Sequence, residues 1–288
     1  MISPALLVLV AVLVISVAVG VASLCWLCVG TERLRAARSE PSWFGDRLRA
    51  VAPFVGLLAL VLAVNKGLQG WIERISHTYG IEATATFHAI EGDLVVTFQA
   101  LLPELSMLYF SAVYVVGYAV LLVAPLGIYL FAERAHPIKL LVTAYAVNYA
   151  VAVVFYTAVV AYGPRNADRS SSGTSADAPL LELVPDITMI TALVNTNTNV
   201  FPSLHASLSV TVLLVAVLTR AEFPRWLVVA AVLAVSIVVS TMALGIHWLT
   251  DVVAGVVLAV GAVAVARRVV DAPTRPRRQR TEPIRPRN

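Results

Sequence analysis

Charge is what this 288-residue chain has least of. Asp, Glu, Lys and Arg together make up 13% of it, against 59% hydrophobic residues, and the mean hydropathy is +0.84. So little charge, with the apolar residues gathered in long runs, excludes an ordinary soluble domain and points to a chain that crosses a membrane several times. Cysteine is almost missing too. Cys25 and Cys28 are the only pair, a C-x-x-C inside an apolar run that offers no partners for redox or metal chemistry, and they read as small hydrophobes. The chain shows no convincing internal repeat, and no stretch between the apolar runs is long enough for a separate soluble domain. The first run lacks the basic n-region and A-x-A cleavage site of a signal peptide, and is read as a retained span.

What the sequence does hold is seven apolar runs, at about 4–30, 51–69, 106–131, 140–162, 203–219, 226–244 and 249–266. Each is predicted to cross the roughly 30 Å hydrocarbon layer as a helix, which makes the fold an all-α polytopic bundle of about seven spans. Basic residues set the orientation. Seventeen of the 21 Lys and Arg follow the first run, lie between the third and fourth or between the fifth and sixth, or fall in the tail. That side is expected to be cytoplasmic.

The opposite face carries Lys66, Arg74, Arg165 and Arg169 and two long connections, 70–105 and 163–202. Structure built for function is expected there. Residues 71–105 mix apolar and polar side chains with partial helical spacing, as helices lying on a membrane surface do. Their His77, His88, Glu91 and Asp93 read as a solvated face. "YGPRNADRSSSGTSADAP" reads as an exposed turn-rich connection, and "LLELVPDITMITALV" as a short membrane-resting helix. The Pro/Arg-rich tail 269–288 is too polar to pack and is expected to lie against anionic headgroups. Nucleic acid is not an expected partner of a chain anchored this way.

Polar residues gather at three places on the outer boundary: 162–169, 199–207 and 240–251. Alternating topology puts all three on one side at similar depth. In "FPSLHAS" the helix is predicted to start at Pro202, capped by Thr198 or Asn199, so that free amides near Ser203 and Leu204 form an anion site. The Ser203 hydroxyl can add a donor, and His205 can give a proton to an oxygen held there. In "GIHWLTDVVAG", His247 and Asp251 are four apart. On a helix they share a face, the carboxylate accepting Nδ1–H and leaving Nε2 free as nucleophile or base. A metal held by His205, His247 and Asp251 is the alternative, but neither the spacing nor a known metal motif favours it.

"FPSLHAS" and "STMALGIHWLTDVVAG" resemble the second and third signature motifs of the type 2 phosphatidic acid phosphatase superfamily, in order and in the pair of spans between them. The resemblance covers about residues 140–268. It implies a catalytic membrane domain over 51–268, with an extra span and basic loop in 1–50 and the tail 269–288 outside it. It also implies a lipid phosphate substrate, an active site on the extracytoplasmic face of the cell membrane, and no cofactor. His247 would attack phosphorus, Asp251 would orient it, His205 would protonate the leaving alcohol and Ser203 would bind phosphate oxygens.

The departures from the pattern fall on cations. The first signature, KxxxxxxRP, is missing: Arg165 stands at its arginine, but Ala158 occupies the lysine position and Asn166 the proline position. Thr241 replaces the arginine of the third motif, at the phosphate. "PSLHAS", the Pro164-Arg165 ending of the fourth span and Thr241 resemble the inositol phosphorylceramide synthase branch, which transfers head groups between lipids. Lys66 and Arg169 are the candidate substitutes for the lost cations. A transporter or scaffold that keeps this fold without the chemistry is the rival reading.

Overall fold

The computed structural model describes residues 4–39, 42–170 and 200–272. The proposed cap Thr198 or Asn199, the segments from Ser171 through "LLELVPDITMITALV", and the tail from Pro273 on lie outside the described residues.

Ten helices account for almost all of it. Helix α1 (Pro4–Val29) is apolar on every side and leaves Val8, Ile15 and Trp26 exposed, as a helix facing lipid does. The chain reverses at Gly30, whose φ of +79° an L side chain rarely adopts, and α2 (Thr31–Ser39) follows. Helix α3 (Trp43–Tyr79) is 37 residues long with Pro53 inside it. It extends well past the predicted end near residue 69, because no Gly-Pro or turn cluster interrupts the pattern before Gly80. Residues expected to begin a loop therefore form the last turns of a span.

Two short helices come next, α4 (Thr84–Glu91) and α5 (Leu94–Ala100). Then α6 (Glu104–Leu130) passes through a π-helical turn at Val113–Gly117, and α7 (His136–Ala158), α8 (Leu204–Leu218), α9 (Pro224–Ala243) and α10 (Leu249–Val270) complete the bundle. Ile81–Glu82 and Val159–Val160 pair as two-residue parallel strands and tie the connection after α3 to the end of α7.

All seven expected runs are helical, and six are long and apolar enough to cross a membrane. The seventh, α8, has only 15 residues, roughly 22 Å at 1.5 Å per residue, short of the ~30 Å layer. It is also enclosed: α6, α7, α9 and α10 all pack on it, burying Ala206, Ser207, Leu208, Thr211, Val212 and Val215. Inside the bundle Asn148 donates to Thr211 Oγ1 at 3.0 Å and accepts from the Ser207 hydroxyl, so the polar groups of the seam satisfy one another.

Charges mark the two ends. At the end away from α8's amino terminus, Arg33 pairs with Glu222 at 2.6 Å, Arg47 donates to the Ala132 carbonyl at 2.7 Å, and His136 meets Asp271 at 2.7 Å. Trp226 Nε1 donates there to the Tyr129 hydroxyl at 3.1 Å, which also bonds Thr219 Oγ1. The other end carries the three polar segments, and the structure brings all three together.

Candidate active site

Glycine makes the convergence possible. A Cβ on Gly255 of α10 would lie 2.5 Å from the Ser203 carbonyl oxygen, and one on Gly163 would strike the backbone carbonyl of Ile246. Only a bare backbone lets α10 meet the start of α8, and lets the chain after α7 meet the turn before α10. Hydrogen bonds hold both approaches: Ser203 N donates to the Asp251 carbonyl at 3.0 Å, and Arg165 N to the Gly245 carbonyl at 2.9 Å.

The start of α8 differs from the sequence expectation. The helix begins at Leu204 rather than Pro202, and Ser203 is its cap: Oγ accepts from Ala206 N at 3.2 Å. A serine side chain can satisfy a free helix amide and a proline cannot, so the cap position falls on Ser203. With Oγ accepting, the hydroxyl proton stays available to a ligand. The preceding Pro202 carbonyl accepts from the Tyr156 hydroxyl at 3.2 Å.

His247 is not on the helix with Asp251. It stands in the turn between α9 and α10, where Gly245 has φ +62° and the amides of Ile246 and His247 both donate to the Thr241 carbonyl. Asp251, in the first turn of α10, reaches back: Oδ2 accepts from Trp248 N at 2.9 Å and lies 3.4 Å from His247 Nδ1. The four-residue spacing works through this amino-terminal cap rather than along a helical face. Asp251 is fully buried and His247 is 2% exposed, and His247 Nε2 and Asp251 Oδ1 have no hydrogen-bond partner. Burial first, and the Arg165 guanidinium second, hold the His247 pKa down at about 3, against a backbone contact at Val200 that raises it. It is a neutral imidazole with an open lone pair at physiological pH.

His205, one residue inside α8, faces this group, its ring centroid 6.0 Å from that of His247. Tyr114 of α6 stacks on it and Tyr118 lies tilted against it, with centroids at 4.5 and 4.4 Å. Arg165, in the 3₁₀ turn Pro164–Ser170, brings its guanidinium close enough to perturb both His247 and Tyr114. Its Nη1 is buried without a partner, and burial lowers its pKa. A buried cation nitrogen with no bond of its own beside an open imidazole nitrogen is an arrangement waiting for an anion.

The other predicted phosphate ligands stand differently. Thr241 is fully buried and its hydroxyl donates to the Val238 carbonyl at 2.7 Å, within its own helix. Lys66, on α3, is exposed and bonds Gln69 Oε1 at 3.0 Å. The side chain of Arg169 lies outside the described residues. Among the described residues no group of three or more His, Cys, Asp or Glu is arranged to hold a metal ion.

The structure adds residues that sequence reasoning passed over. Glu91, read as part of a solvated face, accepts from the amides of both Leu249 and Thr250, so its carboxylate sits on the amino terminus of the helix that carries Asp251. His88 is edge-on to Trp248, and Gln99 Nε2 donates to the Ala243 carbonyl at 2.9 Å. Helices α4 and α5 are thus fastened to the turn that bears His247. The tyrosine pair had a faint signal, two aromatics four apart in an apolar run.

This geometry meets an independent finding. A family model described as the PAP2 superfamily matches residues 86–265, more than half of the chain and a segment that includes Ser203, His205, Arg165, His247 and Asp251. The chain belongs to that family of helical membrane proteins with phosphatase-type activity. Comparison with curated proteins and with solved structures yields no match.

Proposed function

We propose that this protein is a metal-independent enzyme that cleaves or transfers the phosphoester of a lipid or isoprenoid alcohol through a phosphohistidine on His247. The observation that carries the reading is the set of open valences at one place: His247 Nε2 unpartnered on a ring held by Asp251, and Arg165 Nη1 unpartnered with its guanidinium near that ring. The Nε2 lone pair attacks phosphorus as the bond to the leaving oxygen breaks. His205, protonated as the phosphate anion binds beside it, gives that oxygen its proton. Asp251 holds the ring through Nδ1 and stabilises the charge that develops on it. Arg165 and the Ser203 hydroxyl neutralise the phosphoryl oxygens, with Lys66, Arg169 and Thr241 the further candidates. Water deprotonated by His205 then breaks the P–N bond and releases phosphate.

A second reading replaces water with a lipid alcohol, as in the inositol phosphorylceramide synthase branch. Thr241 favours it, because a buried threonine whose proton is already donated to its helix leaves the site without the family's arginine. The concentration of basic residues at the end away from the site supports an extracytoplasmic active site with the tail inside.

A single-turnover assay in detergent with labelled phosphatidic acid, polyprenyl phosphate and phosphatidylinositol tests the proposal. Release of free phosphate supports hydrolysis, and movement of label to an added alcohol supports transfer. Full turnover by His247→Ala on every ester would overturn the mechanism and favour a scaffold or transporter.

A further inference from the structure

His205 is reached from the flank of the bundle as well as from its end. A groove of about 810 Å³ runs between α1 and α6, with Val17 and Val21 on one wall and Val116 and Val123 on the other. That volume lies in the range of pockets that hold an organic ligand. Among the described residues its lining side chains with polar atoms are Tyr114, Tyr118 and His205, both tyrosine rings lying against the imidazole. Beyond them the walls continue from Tyr118 to Val123 on α6 without a hydrogen-bonding side chain. The two helices run in the same direction and touch where a Cβ on Gly20 would lie 2.9 Å from Val120 and one on Gly127 2.7 Å from Cys25 Sγ, so the groove follows one side of that contact. The groove is therefore a slot with a reactive imidazole at one part and hydrocarbon everywhere else.

We propose that this slot seats the hydrocarbon chain of the alcohol that leaves phosphorus, so that α1 selects which chains the enzyme accepts. The inference rests on the reading of His205 as the donor to the leaving oxygen. A group bonded to that oxygen has to extend away from His205, and the apolar slot is the path the structure provides. A sugar or inositol ring placed there would lose its water and gain no partner, whereas an alkyl or isoprenyl chain loses nothing. Helix α1 lies outside the segment matched by the family model.

Two measurements on the full-length protein in detergent test it. The first compares kcat/KM for a long-chain alkyl phosphate with that for a short-chain, water-soluble alkyl phosphate, in the wild type and in Ala18→Phe and Ala22→Phe, which narrow the slot from the α1 side. The long-to-short ratio is expected to fall roughly tenfold or more, the scale on which apolar pockets discriminate. The second photolabels wild-type protein with a long-chain alkyl phosphate carrying a terminal diazirine, and so does not depend on how the variants fold. Label is expected on peptides from α1 and α6, and to be displaced by unlabelled long-chain ester but not by the short one. An unchanged ratio, or label spread evenly over all membrane-facing helices, means that bulk lipid fills the slot and overturns the inference while leaving the catalytic reading in place. If the wild type cleaves neither ester, the catalytic reading itself fails and takes this inference with it.

Discussion

At the residue scale the site is a set of buried groups that neutralise one another only in part. Asp251→Asn keeps an oxygen that can accept from Trp248 N, so the cap survives while the negative charge against Nδ1 is lost. Turnover is expected to fall on the order of a thousandfold or more, with the thermal midpoint nearly unchanged. Arg165→Lys removes the planar fork and is expected to lower kcat with little change in stability, since the guanidinium's Nη1 has no internal partner to lose. His247 also predicts a pH dependence. Its pKa is depressed from 6.5 to about 3, so the unfolded chain binds a proton that the native protein refuses. Stability from this group is fully present above about pH 6.5 and is lost as pH falls toward 3. His247→Phe is expected to reduce the fall of the thermal midpoint in detergent across that window.

At the scale of elements, the first extramembrane connection works as a brace. Glu91 accepts from two amides at the start of α10, so Glu91→Ala leaves both without their acceptor and is expected to cost about 1 kcal/mol. Because the same turn carries Asp251, activity should fall by more than stability alone explains; Glu91→Gln, which keeps one acceptor, should recover part of it. Comparing kcat with the fraction folded in the same samples checks this. The spans were legible from the sequence because twenty apolar residues in a row have few other fates, and the paired motifs were legible because their polar residues interrupt such runs. Glu91 was not: one carboxylate in an irregular amphipathic stretch looks the same whether it meets water or a helix end 158 residues away in sequence. Tyr114 and Tyr118 were hidden for the opposite reason, since aromatic residues are ordinary in membrane helices. The place of His247 before the helix rather than on it was hidden because a four-residue spacing fits both geometries.

At the scale of the whole molecule, the sequence expectation of an all-α bundle holds, with the basic residues at one end and the site at the other. The sidedness of those ends has a direct check. In a variant lacking Cys25 and Cys28, a cysteine at Thr78, next to the site end, is expected to react with an impermeant thiol reagent added outside intact cells. One at Arg134, among the basic residues, is expected to react only after permeabilisation. The reverse pattern would invert the assigned topology.

Helix α8 sets a further condition on the host membrane. A 15-residue helix enclosed by longer ones is shorter than a bilayer of ordinary thickness, so the surrounding helices have to hold a funnel of water down to His205. The enzyme should then respond to its solvent as a spring does to load. Reconstituted in phosphatidylcholines of increasing acyl length, its turnover is expected to pass through a maximum in thin bilayers and decline in thick ones, where the mouth of the site is drawn below the headgroups and water and product exchange more slowly.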